Sequence, residues 1–298
     1  MLVVITSWYG RLGNNILQVL NAIIDGGGTI IIPKHPHFHT EMVKCKGDSS
    51  GSSIRRGVYY PDFYCRMDYH GSDIINMTQS KHGYGLTFGM YHYTCKKNLR
   101  LFLNVNILPK PHPGIVIYFR SSDIWDAKCN RSYIPNPSSM IIKIVQQHLE
   151  RFAGTDDDLV TVVCEDTLSP NIEEVRKIAP NFRFVSSTVI EDWTVLANAK
   201  IICGDYSTFM LTALMMNNFV EEFHCTDHCY KLFPDMKDTP FDCYVWSVEG
   251  YIKPGQKPLQ QGVLEEMMVM EYPCECTKIE KNLSVTEWEK HGTVKGCF

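Results

Sequence analysis

Residues 115–119 form a short apolar run, and an arginine stands directly at its end: Tyr118-Phe119-Arg120-Ser121-Ser122-Asp123-Ile124-Trp125. A charge at the end of a buried strand is costly unless it meets an anion, and a planar guanidinium fork suits a pyrophosphate. The plainer alternative is the start of a helix, with Arg120 paired to Asp123. A second polar turn, Tyr9-Gly10-Arg11-Leu12-Gly13-Asn14-Asn15, follows the apolar run 2–5. Gly10 and Gly13 let the backbone turn tightly and approach a ligand, and helix-start N–H groups attract anions. Asn14 and Asn15 offer donors and acceptors suited to hydroxyls, or one of them is only an N-cap. The third turn is Gly204-Asp205-Tyr206-Ser207-Thr208-Phe209. Its hydroxyls and helix-start N–H groups suit a phosphate, or again serve only to cap a helix.

Each turn needs a strand before it and a helix after it. Residues 2–6, 13–25 and 29–33 read as strand, helix and strand, with Gly26-Gly27-Gly28 as the helix stop. Such a βαβ unit implies a parallel pair with a right-handed crossover. The stretch 34–104 carries no clear period and reads as loops and short elements. Leu108-Pro109-Lys110-Pro111-His112-Pro113-Gly114 is a stiff, extended connector and the best domain boundary. After it, strands are expected at 115–119, 159–164, 182–185 and 200–203. Helices are expected at 138–152, after Ser169-Pro170 to 178, at 191–198 and at 207–216. The pattern is α/β, with domains at 1–108 and 109–218 and a C-terminal extension, 219–298, packing on both. The alternation predicts Rossmann-like halves whose ligands sit beyond the carboxyl ends of the strands.

Composition narrows the classes. With 29 Lys and Arg against 33 Asp and Glu, the net charge of −4 gives no basic field for nucleic acid. No apolar run approaches the ~20 residues that span a bilayer, and the N-terminal run is shorter than a secretory h-region. A cytoplasmic location is therefore expected, with the twelve cysteines as free thiols. Three sequons, at Asn76, Asn130 and Asn282, would matter only on a secretory route. Neither half carries G-x-G-x-x-G, which disfavours a nicotinamide enzyme.

Taken together, the three turns resemble the fucosyltransferase superfamily with the GT-B architecture. Gly10-Arg11-Leu12-Gly13-Asn14-Asn15 stands where that superfamily has G-R-[LF]-G-N-Q, residues 118–123 are similar to its H-x-R-R-x-D motif, and residues 191–215 are similar to its third block. The resemblance implies two Rossmann-like domains facing across a cleft, and an inverting, metal-independent glycosyltransferase acting on a glycan hydroxyl, with no cofactor. GDP-fucose is the donor it points to. Another donor, such as UDP-xylose, or a non-catalytic nucleotide- or sugar-binding module, stays open. By the same resemblance Arg120 grips the donor β-phosphate and Asn14 lies near the reacting sugar. Ser207, Thr208 and Phe209 contact donor phosphates, with Gly10, Arg11, Gly13 and Asp205 on the donor side. Glu191 or Asp192 lies near base and ribose, and Asp123 holds the acidic motif position. The G-x-L-G-N-N variant is also similar to proteins of algae and their large DNA viruses, which admits a virus-encoded origin. The chain departs from the motif at Tyr118, in place of His, at Ser121, in place of the second Arg, and at Asp205, an acid where a neutral residue is expected.

Attack by an acceptor hydroxyl would be helped by a carboxylate base, with Asp123 or Asp126 as candidates. His35, His37 and His39 read either as a polar loop facing the acceptor sugar or as a metal site. Residues 224–229 with Cys274 and Cys276 offer the same choice between a zinc site and a turn with thiols, although their spacing is not that of a C-x₂-C pair.

Overall fold

Strands and the helices between them build two separate sheets. A computed structural model describes residues 2–5, 11–26, 29–32, 34–38, 42–44, 67–69, 103, 111–125, 133–232, 236, 239–253, 256–258 and 260–281. The chain divides into two compact units, Met1–Asn106 with Val285–Phe298, and Ile107–Ser284. It is a mixed α/β protein.

In the first unit, β1 (Leu2–Ile5) and β2 (Thr29–Ile31) pair in parallel, joined through α1 (Leu12–Gly26). This is the expected βαβ unit. Ile16, Val19 and Leu20, at helical spacing, are buried. Within the stretch read as loops, β3 (Met42–Lys44) and β4 (Met67–Tyr69) add antiparallel strands, giving the order β3-β2-β1-β4. Strands of three residues are too short for an alternation to register in sequence.

The second unit opens with β5 (His112–Phe119), α2 (Ser138–Phe152), β6 (Val160–Cys164), α3 (Asn171–Ile178) and β7 (Arg183–Val185). It continues with α4 (Val189–Ala197), β8 (Ala199–Gly204), α5 (Thr208–Met216), β9 (Glu222–Thr226) and α6 (Asp227–Leu232). β10 (Asp242–Val248), α7 (Gln261–Val269) and β11 (Cys274–Lys278) complete it. The sheet order is β11-β10-β9-β8-β5-β6-β7, parallel from β10 to β7, with β11 antiparallel at the edge. Counted along the chain, the six parallel strands lie in the doubly wound order 6-5-4-1-2-3, which reverses direction between β5 and β8.

That reversal places helices on both faces, because right-handed crossovers leading to β6 and β7 lie on one side and those leading to β9 and β10 on the other. Ile115, Ile117 and Phe119 of β5 pack with Met140, Ile141 and Ile144 of α2 and with Ile172 and Val175 of α3. On α4 and α5, Trp193 is buried and its indole N–H donates to Thr212 at 3.2 Å. Met210 to Met216 are all buried, as a helix apolar on every side should be.

The region 219–281 differs from the expected extension. Its strands β9, β10 and β11 belong to the same sheet as β5, and the unit runs to Ser284. Cys, His, Trp and Lys interrupt the hydrophobic alternation of these strands, so burial is decided by pairing with β8 rather than by local pattern.

β5 also starts earlier than the proline-rich connector suggests. His112 N–H donates to the Asn198 carbonyl at 2.7 Å, and the register with β8 shifts between His112 and Ile115. At this irregularity Gly114 adopts φ 72°, and a Cβ there would lie 1.9 Å from the Leu159 carbonyl oxygen. Gly114→Ala is therefore expected to destabilise the protein by about 3 kcal/mol through strain and backbone collision. Urea denaturation followed by circular dichroism checks this.

Among the described residues, no helix is long and apolar enough to cross a membrane.

Candidate functional site

In sheets of this kind the crevice forms beyond the carboxyl ends of the strands on either side of the reversal, here β5 and β8. Phe119, the last residue of β5, is buried, and Arg120 follows half-exposed. Gly204 ends β8, and Asp205 follows at 1% exposure. The two strand ends are joined. One Asp205 carboxylate oxygen accepts the Arg120 backbone N–H at 2.9 Å, and the other accepts the Asn136 N–H at 2.6 Å. The Asp205 N–H itself donates to the Tyr118 carbonyl at 3.1 Å. Burial pushes the Asp205 carboxyl up to about 7, against the pull of those two N–H donors and of the Arg120 charge.

Asn136 belongs to a segment, 133–137, that is tied on several sides. Its carbonyl accepts from the Asn171 side-chain amide at 2.8 Å, and Asn171 accepts from the Ser138 hydroxyl at 2.6 Å. The Tyr251 hydroxyl donates to the Pro135 carbonyl at 2.9 Å. The segment supplies Tyr133, whose ring lies 3.6 Å from the Arg120 guanidinium carbon. Tyr206 stacks on Tyr133 with centroids 6.0 Å apart. The guanidinium is thus laid on an aromatic face by a loop that Asp205 secures, an attraction of about 0.5–2 kcal/mol.

The α5 start completes the cluster. Ser207 is its N-cap, with its hydroxyl accepting the Met210 N–H at 3.1 Å. Tyr118 also bonds Ser207, and burial pushes the phenol up to about 12, so it stays a neutral hydroxyl. Phe209 packs beside Tyr118 at 5.6 Å. Thr208 opens the helix, half-exposed. Ser121 is buried and donates its hydroxyl to Asp166, while the Trp125 indole N–H donates to Ser121 at 3.2 Å. Ser121 is therefore a bonded hydroxyl.

On the other flank, Thr188 and Glu191 form a reciprocal capping box at the start of α4, so Glu191 is a helix cap. Asp192, 8% exposed, accepts the Ser187 N–H at 3.0 Å, and burial raises its pKa. The charges of Glu191 and Glu165 add to that rise.

The structure thus brings Arg120, Asp205, Ser207 and Phe209 together in the second unit. Asp123 sits in a 3₁₀ turn, Ser122–Trp125, with its side chain outside the described part. Gly10, His39 and Asp126 lie outside the described residues. In the first unit, Arg11 is exposed, and Gly13 and Asn14 lie in the first turn of α1, Gly13 buried and Asn14 half-buried. His35 meets Asn15 there, with ring Nε2 3.0 Å from the Asn15 side-chain oxygen, while His35 Nδ1 accepts the His37 N–H at 3.2 Å. This pattern puts the proton on Nε2. Burial and then the neighbouring His37 lower the His35 pKa to about 4, so His35 is neutral near pH 7. Among the described residues no three His, Cys, Asp or Glu side chains converge on a metal-binding point. The seven described cysteines are free thiols. Cys164, held in β6, is pushed up to about 12 by burial and is inert at neutral pH.

Sequence reasoning did not find Tyr133, Asn136 or the Asp205 anchor. The one available signal was the acid at 205, directly after an apolar strand.

Strand order and cluster together define a doubly wound α/β domain of Rossmann order, with an arginine and a helix N-terminus at its switch point. No protein-family model matches the chain, and neither does any curated protein. Among solved structures it is similar to POFUT1 in complex with GDP, with a TM-score of 0.26 and 12% identity, covering 46% of this chain and 48% of that one. POFUT1 in complex with GDP-fucose gives a TM-score of 0.28 and 12% identity, over 50% and 53%. The chain spans about half the length of each.

Proposed function

We propose that this protein is an inverting glycosyltransferase that moves a sugar from a nucleotide-diphosphate donor to a glycan hydroxyl, with GDP-fucose the first donor to test. The observation that carries the reading is the position of Arg120. It stands at the switch point of a Rossmann-ordered sheet, its loop fastened by Asp205, in the same cluster as the α5 N-terminus. A diphosphate there would meet a guanidinium and helix-start N–H groups, a preorganised field aimed at the charge that grows as the glycosidic bond breaks. The acceptor oxygen would attack the anomeric carbon from the face opposite the diphosphate. The C–O bond to the β-phosphate breaks with its electron pair retained by the leaving group, and the hydroxyl proton passes to a carboxylate, Asp123 or Asp126. No metal is required by this scheme, since the cationic work falls to Arg120.

A non-catalytic nucleotide- or sugar-binding module is favoured by one observation: Ser121 and Tyr118, standing where the family has Arg and His, are engaged with Asp166 and Ser207. Thermal-shift titration with GDP, UDP and their sugar conjugates, followed by transfer assays, separates the two. GDP at a hundred times its Kd should add about 2.7 kcal/mol to stability, and GDP-fucose should be consumed in the presence of a glycan. Binding without turnover across GDP-fucose, UDP-xylose and related donors would establish the module instead. The absence of any nucleotide-induced shift would end the transferase reading and the nucleotide-binding module, leaving only a sugar-binding one.

A further inference from the structure

A cavity of about 620 Å³ opens at the carboxyl ends of β9 and β10 in the second unit, a volume in the range of ligand sites. It adjoins the arginine cluster. His228 on its wall meets the Tyr206 ring edge-on at 6.1 Å, Tyr206 stacks on Tyr133, and Tyr133 lies beneath Arg120. The cavity and the proposed diphosphate position are therefore two ends of one aromatic ladder.

The walls combine two chemistries. Ile134, Pro135 and Tyr251 form an apolar and aromatic part, fixed by the Tyr251 hydroxyl on the Pro135 carbonyl. Opposite in character are the hydroxyls of Thr226 and Ser247 and the carboxylates of Asp227, Glu249 and Glu275. Two ammonium groups, Lys231 and Lys253, stand against these three carboxylates, and Lys231 is bonded to Asp227 at 2.8 Å. The lining thus has no cationic excess with which to hold a second phosphate. Hydroxyls both donate and accept, so an uncharged polyol satisfies this mixed rim where an anion does not. The apolar part suits the C–H face of a sugar ring.

We propose that this cavity binds a short, uncharged saccharide segment, which is the acceptor if the transferase reading above holds. The role as acceptor rests on that reading; the saccharide site does not. Saturation-transfer NMR on the full chain with neutral mono- to trisaccharides, run beside a GDP titration, tests it. Saccharide signals are expected, and Glu249→Ala with Glu275→Ala should weaken them by about tenfold or more while leaving GDP affinity unchanged. Ser247→Trp, at an exposed lining position, should abolish them by filling the space. Arg120→Ala should do the opposite, losing GDP and keeping the saccharide. Saccharide binding without any nucleotide binding would support the cavity assignment and sink the transferase reading. No saccharide signal from a protein that binds GDP would overturn the assignment, as would saccharide signals that the cavity variants leave unchanged. GDP binding lost in the Glu249 and Glu275 variants would also overturn it, because the cavity would then be the nucleotide's.

Discussion

Arg120→Ala is expected to lower sugar transfer by about 10²–10³-fold, the usual cost of removing one preorganised donor aimed at developing charge. The fold should survive, because the backbone bond from Arg120 N–H to Asp205 does not involve the guanidinium. What the folded state loses is the contact over Tyr133, about 0.5–2 kcal/mol. Arg120→Lys should fall between wild type and alanine, since a lysine brings the charge to a diphosphate without the planar fork. Initial rates, nucleotide titration and thermal melting on the same samples separate loss of function from loss of fold. An alanine variant with ordinary turnover and ordinary nucleotide affinity would remove Arg120 from the site and with it the proposed chemistry.

Asp205→Ala should instead be a structural lesion at the same place. It strips the acceptor from two backbone N–H groups, Arg120 and Asn136, in a site with 1% exposure. At about 1–3 kcal/mol for each orphaned donor, a loss of about 3 kcal/mol is expected. For a domain of this size that is roughly a 10 °C fall in Tm. Transfer should fall as well, because the loop carrying Arg120 is released from the 133–137 segment. Asp205→Asn keeps the shape and one oxygen acceptor, so its loss should be smaller.

The pH dependence gives the second half of this test. The Asp205 carboxyl is raised from 3.8 to about 7 in the folded protein, chiefly by burial. The folded state therefore holds this proton more tightly than the unfolded chain. Its stabilising contribution is complete below about pH 4 and is lost as pH rises through about 7. Asp205→Asn, which does not titrate, should flatten that part of the stability profile between pH 4 and 7. Urea midpoints at several pH values measure it. An unchanged slope in the asparagine variant would show that another group carries the proton.

The legible and illegible parts of the molecule differ for a physical reason. The βαβ opening, β5, α2 and β6 were readable because runs such as Ile115-Val116-Ile117 and the spacing Met140, Ile141, Ile144, Val145 declare burial within a few residues. Ser207 as an N-cap was readable in the same way, from side-chain chemistry acting three residues away. The strands β9 to β11 were not, since their polar residues acquire a buried setting only by pairing across the sheet. The anchor at Asp205 was not readable either, because its partners are 85 and 69 residues away along the chain.

By itself, then, the sequence determined the alternation of strands and helices, the turns that interrupt it and the chemical types those turns carry. These follow from local sterics, capping and hydrophobic period, each acting over one or two turns of chain. Only the tertiary structure decided which strands flank β5 and that β9 to β11 join its sheet, and that Arg120 is laid on Tyr133 by a loop tied to Asp205. Those outcomes depend on which strand ends become neighbours, and that is set by packing between distant segments.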